Sequence, residues 1–295
     1  MTSETPWPHD SPSLIVLGVA QDGGHPQAGC RKPCCAAAWA NPELGHLCAC
    51  LGLVDPATQQ RWIFDCTPDF PAQLHALDQT APVMDSPGLD GVFLTHGHIG
   101  HYAGLMHLGR EVIGSTQVPV WAMPRMRRLL EQSAPWELLN RLNNVDIQSL
   151  SGGVEHTLNP NLTVRPIPIP HRSEYTETVG FIISGPTRKA LYLPDIDKWQ
   201  RWPAVHEVLN EVDLAFVDGT FYGEGELDRP MAEIPHPSIE ESLEFFGPLD
   251  VHTRNKIHFI HMNHTNPILG PSGPAHDAIT AAGMHIAKEG QQYGI

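Results

Sequence analysis

The sequence predicts an α/β fold, in which strands and helices alternate along one chain of 295 residues. Short apolar runs with the length of strands recur in both halves of the chain, and helical patterns separate them. The 28 prolines and 26 glycines are spread along the loops, and no repeat or low-complexity block interrupts the pattern. With 41% hydrophobic residues, the chain can bury a sizeable core. We therefore expect an irregular tail over residues 1–12 and one domain over 13–295.

The first half of the chain is predicted to hold five strands. Residues 13–20 form a continuous apolar run, which is typical of a strand buried on both faces. Pro68 predicts a helix start, because the first turn of a helix needs no N–H from that residue. In order, the predicted elements are strands at 13–20, 51–54 and 62–65, a helix at 68–77, a strand at 92–94, a helix at 101–109, a strand at 118–122 and a helical surface insertion at about 124–142.

The second half continues the alternation. Ser238 follows Pro237 at the start of a helical pattern, where a serine hydroxyl can cap the first backbone N–H groups. The predicted strands lie at 162–169, 179–183, 189–193, 213–217 and 256–260, and the predicted helices lie at 202–211, 238–246 and 274–282.

Charge and composition exclude several kinds of partner. The formal net charge is −15, and no stripe of Lys and Arg is available to neutralise the phosphates of a nucleic acid or the surface of an acidic membrane. The sequence contains no 18-residue apolar stretch, and its first residues lack the pattern of a signal peptide. We expect a cytoplasmic, soluble protein that acts on a small molecule and can form a homodimer. Its six cysteines are then expected to be thiols or metal ligands rather than disulfides.

Three histidines lie within six positions directly after the predicted strand at 92–94. His96 and His98 are two residues apart on a turn, so their neutral imidazoles can converge on one cation. His101, three residues further on, can reach the same ion or a neighbouring one. This spacing predicts a metal site at the end of the strand.

The segment from Thr95 to His101 resembles the Thr-His-x-His-x-Asp-His signature of the metallo-β-lactamase superfamily. The resemblance implies an αββα sandwich, with two sheets face to face, helices outside and metal at one edge. It also implies a structural aspartate beside the metal loop, for which Asp65 is the candidate. The remaining ligands that it implies each follow a predicted strand, and they are His171, Asp195 and His261. Taken singly, each of these residues could equally be an ordinary side chain at a strand end.

Gly100 departs from the signature, because the superfamily has an aspartate at this place. The missing carboxylate normally binds a second ion. We therefore expect that site to be empty, weak, or completed by Asp22 or His25 from the first loop. On this interpretation, an aspartate introduced at position 100 would strengthen the second site. The competing possibility is that Gly100 makes room for a substrate group or a different ligand, and the new side chain would then fill that space and lower activity.

Three cysteines, Cys30, Cys34 and Cys35, lie close together in an early loop rich in Gly and Pro. Close cysteines in a reducing compartment suggest a structural zinc ion, which needs a fourth ligand from elsewhere in the chain. The loop resembles that of the superfamily branch containing pyrroloquinoline-quinone biosynthesis protein B and the phosphonate-pathway cyclic phosphodiesterase. This resemblance implies His264 as the fourth ligand. Cys48 and Cys50 are possible substitutes, and the alternative is that the cysteines are small buried core residues.

A third segment, from Asp218 to Tyr222 with His236 further on, resembles an element of the phosphodiesterases in this superfamily. In those enzymes the histidine faces the scissile phosphate opposite the metals. His236 would then protonate the leaving alkoxide, a role worth ~10²–10⁴ in rate. The alternative is an exposed loop histidine beside the capping Ser238.

The resemblance implies metal-assisted hydrolysis with His236 and Asp195 in catalytic roles. One ion would be held by His96, His98 and His171, and Asp195 would bridge it to a second ion at His101 and His261. Zinc and manganese both suit these donors, and we expect one or two such ions besides one structural zinc. A phosphodiesterase is the favoured function. A lactonase or other ester hydrolase is the first alternative, and a metal-dependent oxidative step of quinone-cofactor biosynthesis is the second.

Overall fold

The computed structural model describes residues 11–295; residues 1–10, which fall within the predicted tail, lie outside the described part of the chain. Two seven-stranded sheets pack face to face, with helices on their outer faces. This architecture confirms the α/β class and the αββα sandwich. In residues 11–295, no helix is both long and apolar enough to cross a membrane.

The elements follow one another in the predicted alternation. The strands are β1 (Ser13–Gly18), β2 (Cys50–Asp55), β3 (Gln60–Phe64), β4 (Gly91–Phe93), β5 (Val118–Ala122), β6 (Val145–Ser149), β7 (His156–Asn159), β8 (Leu162–Pro168), β9 (Val179–Ser184), β10 (Lys189–Leu193), β11 (Leu214–Asp218), β12 (Ile257–Ile260), β13 (His285–Ile286) and β14 (Gln292–Gly294). The α-helices are α1 (Pro33–Ala40), α2 (Phe70–Thr80), α3 (Pro124–Gln132), α4 (Trp136–Arg141), α5 (Val205–Glu211), α6 (Ile239–Phe246), α7 (Val251–Arg254) and α8 (Pro274–Ala281).

The first sheet has the strand order β14-β1-β2-β3-β4-β5-β6, and the second has the order β13-β12-β11-β10-β9-β8-β7. Strands β3 to β6 run parallel in the first sheet, as do strands β10 to β13 in the second. The helical region at 124–142 consists of α3 and α4, which connect the parallel strands β5 and β6. Met126, Leu130 and Leu139 from these two helices are buried against the first sheet.

Alternation along β1 shows why its apolar run is continuous. Leu14 and Val16 point into the core between the two sheets, whereas Ile15 and Leu17 point into the core between the first sheet and its helices. Because successive side chains of a strand face opposite ways, a strand covered on both faces needs apolar residues at every position. The capped helix start at Ser238 is also present, with Ser238 and Glu241 forming a reciprocal capping box on α6.

The helix predicted at 101–109 is wrong in type. The chain forms two 3-10 segments there, Ile99–His101 and Ala103–Leu108. Glycine lowers helix propensity, and Gly100, Gly104 and Gly109 all fall in this stretch. A Cβ at Gly104 would lie 2.1 Å from the backbone oxygen of Thr67, so the close approach of these two segments requires glycine.

Strand direction brings the candidate ligands to one edge of the sandwich. Strands β1, β3 and β4 run the same way in the first sheet, and β8, β10, β11 and β12 run the same way in the second. The carboxyl ends of strands that share a direction meet at one edge of a sheet. Each candidate ligand follows one of these ends by at most eight residues. The fold therefore gathers side chains that are far apart in sequence.

Candidate metal centre

Asp195 lies at the centre of the gathered side chains. Its Oδ2 atom is 3.0 Å from Nε2 of His101, 3.5 Å from Nε2 of His261 and 3.8 Å from Nε2 of His96. Its Oδ1 atom is 3.8 Å from Nε2 of His171. The carboxylate is almost fully buried, so it faces imidazoles rather than water. This is the position that a carboxylate shared between two ions requires.

A first set of donor atoms comes from His96, His98 and His171, whose ring nitrogens lie within 4.8 Å of one another. Nε2 of His96 and Nδ1 of His98 are 2.8 Å apart. Burial and the neighbouring His101 lower the pKa of His96 well below its ordinary value, and burial lowers the pKa of His171 to about 4. Burial also lowers the pKa of His98. The three imidazoles are thus neutral near pH 7, which is the form that binds metal.

A second set of donor atoms comes from Asp22, His101 and His261. Oδ1 of Asp22 lies 3.2 Å from Nε2 of His101 and 3.2 Å from Nε2 of His261. Burial opposes protonation of His101, but the carboxylates of Asp65 and Asp22 raise its pKa well above the ordinary value. A field that favours a proton at this place also favours a metal cation.

Asp22 takes the place of the carboxylate that Gly100 lacks. A Cβ built on Gly100 would lie 2.3 Å from Cβ and 2.4 Å from Cγ of Asp22. The expectation that an aspartate at position 100 would strengthen the second site is therefore wrong, because the space is already filled. The other candidate, His25, does not contribute to this set, since its Nε2 donates a hydrogen bond to the backbone oxygen of Cys34, 2.9 Å away.

Introducing an aspartate at Gly100 is expected to weaken metal binding at the second set. The new side chain would displace Asp22, and such overpacking typically costs ~1–3 kcal/mol of stability. Metal titration followed by calorimetry measures the affinity, and thermal unfolding measures the stability. The double variant Asp22→Gly with Gly100→Asp is the matched control, because it removes the contacts with Cβ and Cγ of Asp22 and leaves only the 2.6 Å approach to the backbone Cα of residue 22. It should bind better than Asp22→Gly alone. Tighter metal binding by the single Gly100→Asp variant would contradict the conclusion that Asp22 replaces the carboxylate missing at position 100.

Two buried Asp–Thr pairs hold the histidines in the required tautomers. In the first sheet, the Thr95 hydroxyl donates to Oδ1 of Asp65 over 2.9 Å and accepts from Nδ1 of His96 over 3.0 Å. Oδ2 of Asp65 accepts from Nδ1 of His101 over 2.8 Å. Both rings therefore keep Nε2 free for metal. The prediction that Asp65 supports the metal loop agrees with these contacts, although Asp65 itself lies in a left-handed conformation with φ of 66°.

The second sheet carries the same arrangement. The Thr220 hydroxyl donates to Oδ1 of Asp218 over 2.7 Å and accepts from Nδ1 of His261 over 3.0 Å. Oδ2 of Asp218 accepts from Nδ1 of His236 over 2.8 Å. Sequence reasoning missed the roles of Thr95 and Thr220. The available signal was position in the sequence. Thr95 directly precedes the metal-binding His96, and Thr220 follows Asp218 by two residues, in both cases just after a strand.

His236 is not the exposed loop histidine of the alternative interpretation, since it is only 3% exposed. Its Nδ1 is 3.6 Å from Oδ1 of Asp195, and its ring centroid is 5.2 Å from that of His171. Burial alone would lower its pKa, but the carboxylate of Asp218 raises it above the ordinary value. Because Asp218 occupies Nδ1, the nitrogen left for a substrate is Nε2.

The residues of this centre fit metal ions. Nε2 of His101, Oδ2 of Asp195 and Nε2 of His171 are buried and have no hydrogen-bond partner within residues 11–295. Buried polar atoms without partners are costly, and an ion at this place would satisfy them. The donors are imidazole and carboxylate only, which suits several divalent metals.

The cysteine loop forms a separate donor set. Sγ of Cys30 is 3.8 Å from Sγ of Cys34, and Nδ1 of His264 is 3.6 Å from Sγ of Cys34 and 3.3 Å from Sγ of Cys35. A tetrahedral ion with Zn–S bonds of about 2.3 Å would place its sulfur ligands about 3.8 Å apart. Both members of the adjacent pair reach the set because α1 begins at Pro33 and turns Cys34 and Cys35 toward His264.

The possible substitutes lie elsewhere. The thiol of Cys48 donates to the backbone oxygen of Asp22, and that of Cys50 lies 3.4 Å from the backbone oxygen of Asp65. Neither belongs to the set formed by Cys30, Cys34, Cys35 and His264. The suggestion that Cys48 or Cys50 completes the loop site is therefore wrong.

Comparison with known proteins agrees with the fold. Coenzyme PQQ synthesis protein B of Xanthomonas campestris is 28% identical over 309 residues, covering 96% of this chain and 99% of the relative. The structure of Zn(2+)-bound PqqB from Methylobacterium extorquens has a TM-score of 0.82 at 21% identity, covering 96% of this chain and 100% of the other. A diphosphatase of the PhnP family has a TM-score of 0.69 at 21% identity, covering 96% and 97%.

The Beta-lactamase superfamily domain matches residues 60–262, which is more than half of the chain. This match spans all six predicted ligands of the centre, and it leaves Asp22 and the cysteine loop outside. The fold and the gathered donors support a metal-dependent hydrolase. The chain therefore belongs to the beta-lactamase superfamily.

Proposed function

We propose that this protein is a metal-dependent phosphodiesterase. The observation that carries the proposal is His236, a buried histidine held by Asp218 next to Asp195. An alkoxide is a poor leaving group, and cleavage of an unactivated phosphodiester is accelerated by a positioned proton donor. A buried histidine with one nitrogen on a carboxylate and the other left for substrate supplies that donor.

Different residues have different roles in the proposed hydrolysis. His96, His98 and His171 would hold one ion, Asp22, His101 and His261 would hold a second, and Asp195 lies within reach of both sets. Ions bound there would lower the pKa of a water from 15.7 to about 7 and would stabilise charge on the phosphate oxygens. The two Asp–Thr pairs keep the imidazoles in place, so that little reorganisation is needed when charge develops. His236 donates the proton of Nε2 to the leaving oxygen.

We propose zinc for the set of three cysteines and one histidine, and zinc or manganese for the centre. Thiolates with one imidazole form a closed coordination sphere, which is the pattern of structural zinc. Imidazole and carboxylate donors do not separate zinc from manganese. The substrate is proposed to be a small phosphodiester, because the protein has a net charge of −15 and no basic surface for a nucleic acid.

Replacing His236 by glutamine is expected to slow the hydrolysis of a 2′,3′-cyclic nucleotide by ~10²–10⁴, the usual contribution of general acid catalysis. Hydrolysis of bis(4-nitrophenyl) phosphate should fall far less, because a nitrophenolate leaves without a proton. The measurement is kcat for both substrates in the wild type and in His236→Gln.

Metal content per chain provides the control for this comparison. It should be unchanged in His236→Gln, because the proposed acid role assigns Nε2 of His236 to the substrate. His236 also lies close enough to His171 and Asp195 to form a metal set, so the metal content decides between the two roles. Loss of an ion would show that His236 is a ligand, and equal losses with both phosphodiesters would exclude the acid role. Rapid opening of lactones that is indifferent to His236→Gln would favour the lactonase alternative.

A second candidate function has its own support. The set of Asp22, His101 and His261 contains two imidazoles and one carboxylate, the donor combination used by non-haem iron(II). The relative that aligns over 96% of this chain is named for synthesis of the PQQ coenzyme. An oxidative step in making such a cofactor would require iron and consume oxygen. Iron-dependent oxygen uptake without phosphodiester hydrolysis would favour this candidate.

A further inference from the structure

A cavity of about 590 Å³ opens over the metal centre. Asp22 and His98 line it, so the cavity borders one member of each donor set. The rest of the wall comes from three places in the chain: the turn after β4, the helices α3 and α4, and the loop after β8. The cavity is therefore the entrance through which a substrate reaches the centre.

Aromatic side chains form much of this entrance. Tyr102 is only 7% exposed and packs edge to face against Trp136, with ring centroids 5.1 Å apart. Tyr175 is 69% exposed, which leaves its ring open to a ligand. The hydroxyls of both tyrosines and the indole N–H of Trp136 form no hydrogen bonds within residues 11–295. These rings offer flat apolar faces with polar tips that are still free.

In the described part of the chain, Arg172 is the one Lys or Arg that lines this cavity. Across residues 11–295, it has neither an ion-pair partner nor a hydrogen-bond partner for its guanidinium. The residue follows His171 directly, so its charge stands beside the centre in a protein whose net charge is −15. A free guanidinium at an entrance lined by rings binds anions in a bidentate manner and stacks on aromatic groups.

We propose that this entrance selects phosphate esters that carry a flat ring, with the ring held by Trp136 and Tyr175 and the anionic group held by Arg172. This inference rests on the proposed phosphodiesterase function and names its substrate class. An aryl or heteroaryl group fits because aromatic pairs add stabilisation beyond the area that they bury. An alkyl group of similar size would bury area but would not form these ring–ring contacts.

Binding of phosphonates tests the inference without turnover, because their C–P bond is not hydrolysed. Phenylphosphonate and methylphosphonate are titrated calorimetrically into the zinc-loaded protein. Phenylphosphonate is expected to bind about tenfold more tightly, since the ring is buried between aromatic side chains. Trp136→Leu should remove this preference and leave the affinity for methylphosphonate unchanged, which also shows that the centre is intact. Arg172→Gln should weaken both ligands about tenfold, as expected for loss of a charged hydrogen-bond donor.

Arg128→Gln is the matched control, because Arg128 is an exposed arginine on α3 that does not line the cavity. Equal affinities of the wild type for the two phosphonates, or an unchanged preference in Trp136→Leu, would overturn the role of the rings. An effect of Arg172→Gln no larger than that of Arg128→Gln would overturn the role of the cation. Failure to hydrolyse any phosphodiester while the preference for phenylphosphonate persists would count against the proposed function and not against the binding site.

Discussion

Asp195→Asn is expected to abolish hydrolysis, with a loss in kcat of at least ~10³. Asp195 lies between the two donor sets and, within residues 11–295, is the only carboxylate within 4 Å of both His96 and His101. Asparagine keeps the shape but removes the charge, and removing a single electrostatic contact from a catalytic site already costs ~10²–10³ in rate. Ions per chain after dialysis and turnover of bis(4-nitrophenyl) phosphate measure the two consequences. We expect at least one ion to be lost.

Asp146→Asn serves as the control for this substitution, since Asp146 is exposed on β6, away from the centre. It should keep both the metal content and the activity. Circular dichroism checks that Asp195→Asn keeps its fold. Wild-type metal content together with wild-type activity in Asp195→Asn would contradict the assignment of this carboxylate to the centre.

Cys35→Ser is expected to remove one zinc ion per chain and to lower the melting temperature by about 10 °C or more. Binding free energy at structural zinc sites is folding free energy, and it amounts to ~10–16 kcal/mol in zinc-finger peptides. A loss of only about 5 kcal/mol lowers the melting temperature of a large domain by about 10–20 °C. Zinc analysis and calorimetric unfolding of the same sample measure both effects.

Cys66→Ser is the matched variant for this experiment. Cys66 is equally buried but lies outside the set formed by Cys30, Cys34, Cys35 and His264. It should lose some stability, since a hydroxyl replaces a buried thiol, but it should keep its zinc. Cys35→Ser with unchanged zinc content and an unchanged melting temperature would exclude the structural site.

Much of the fold could be predicted, because a strand that is buried on both faces has a continuous apolar sequence. The strand β5 matches its predicted range of 118–122, and β10 matches its range of 189–193. The helix α1 was missed, because its sequence is dominated by cysteine and alanine beside Pro33 and has no amphipathic pattern. The segment at 101–109 was assigned the wrong helix type, since the spacing of apolar residues does not report the close backbone contact at Gly104.

The candidate site was only partly predictable for a different reason. His96, His98 and His101 form a local pattern, whereas Asp22 is separated from its partner His261 by 239 positions in sequence. Only the direction of β1 within the first sheet brings Asp22 to the edge where these histidines lie. The roles of Thr95 and Thr220 depend on hydrogen bonds to buried aspartates, and no residue pattern reports which hydroxyl is buried beside which carboxylate.

The exchange between Asp22 and Gly100 also constrains how such a chain can diverge from its relatives. Both positions cannot carry a side chain at once, because their Cβ atoms would lie 2.3 Å apart. A lineage that moves the carboxylate from one place to the other must therefore shift the loop after β1, because a Cβ at position 100 would also lie 2.6 Å from the backbone Cα of residue 22. The two arrangements, with the aspartate at position 22 or at position 100, are therefore not connected by a single substitution, even though both place a carboxylate in the same region. Relatives of this chain should fall into two discrete groups at these positions, with few sequences between them.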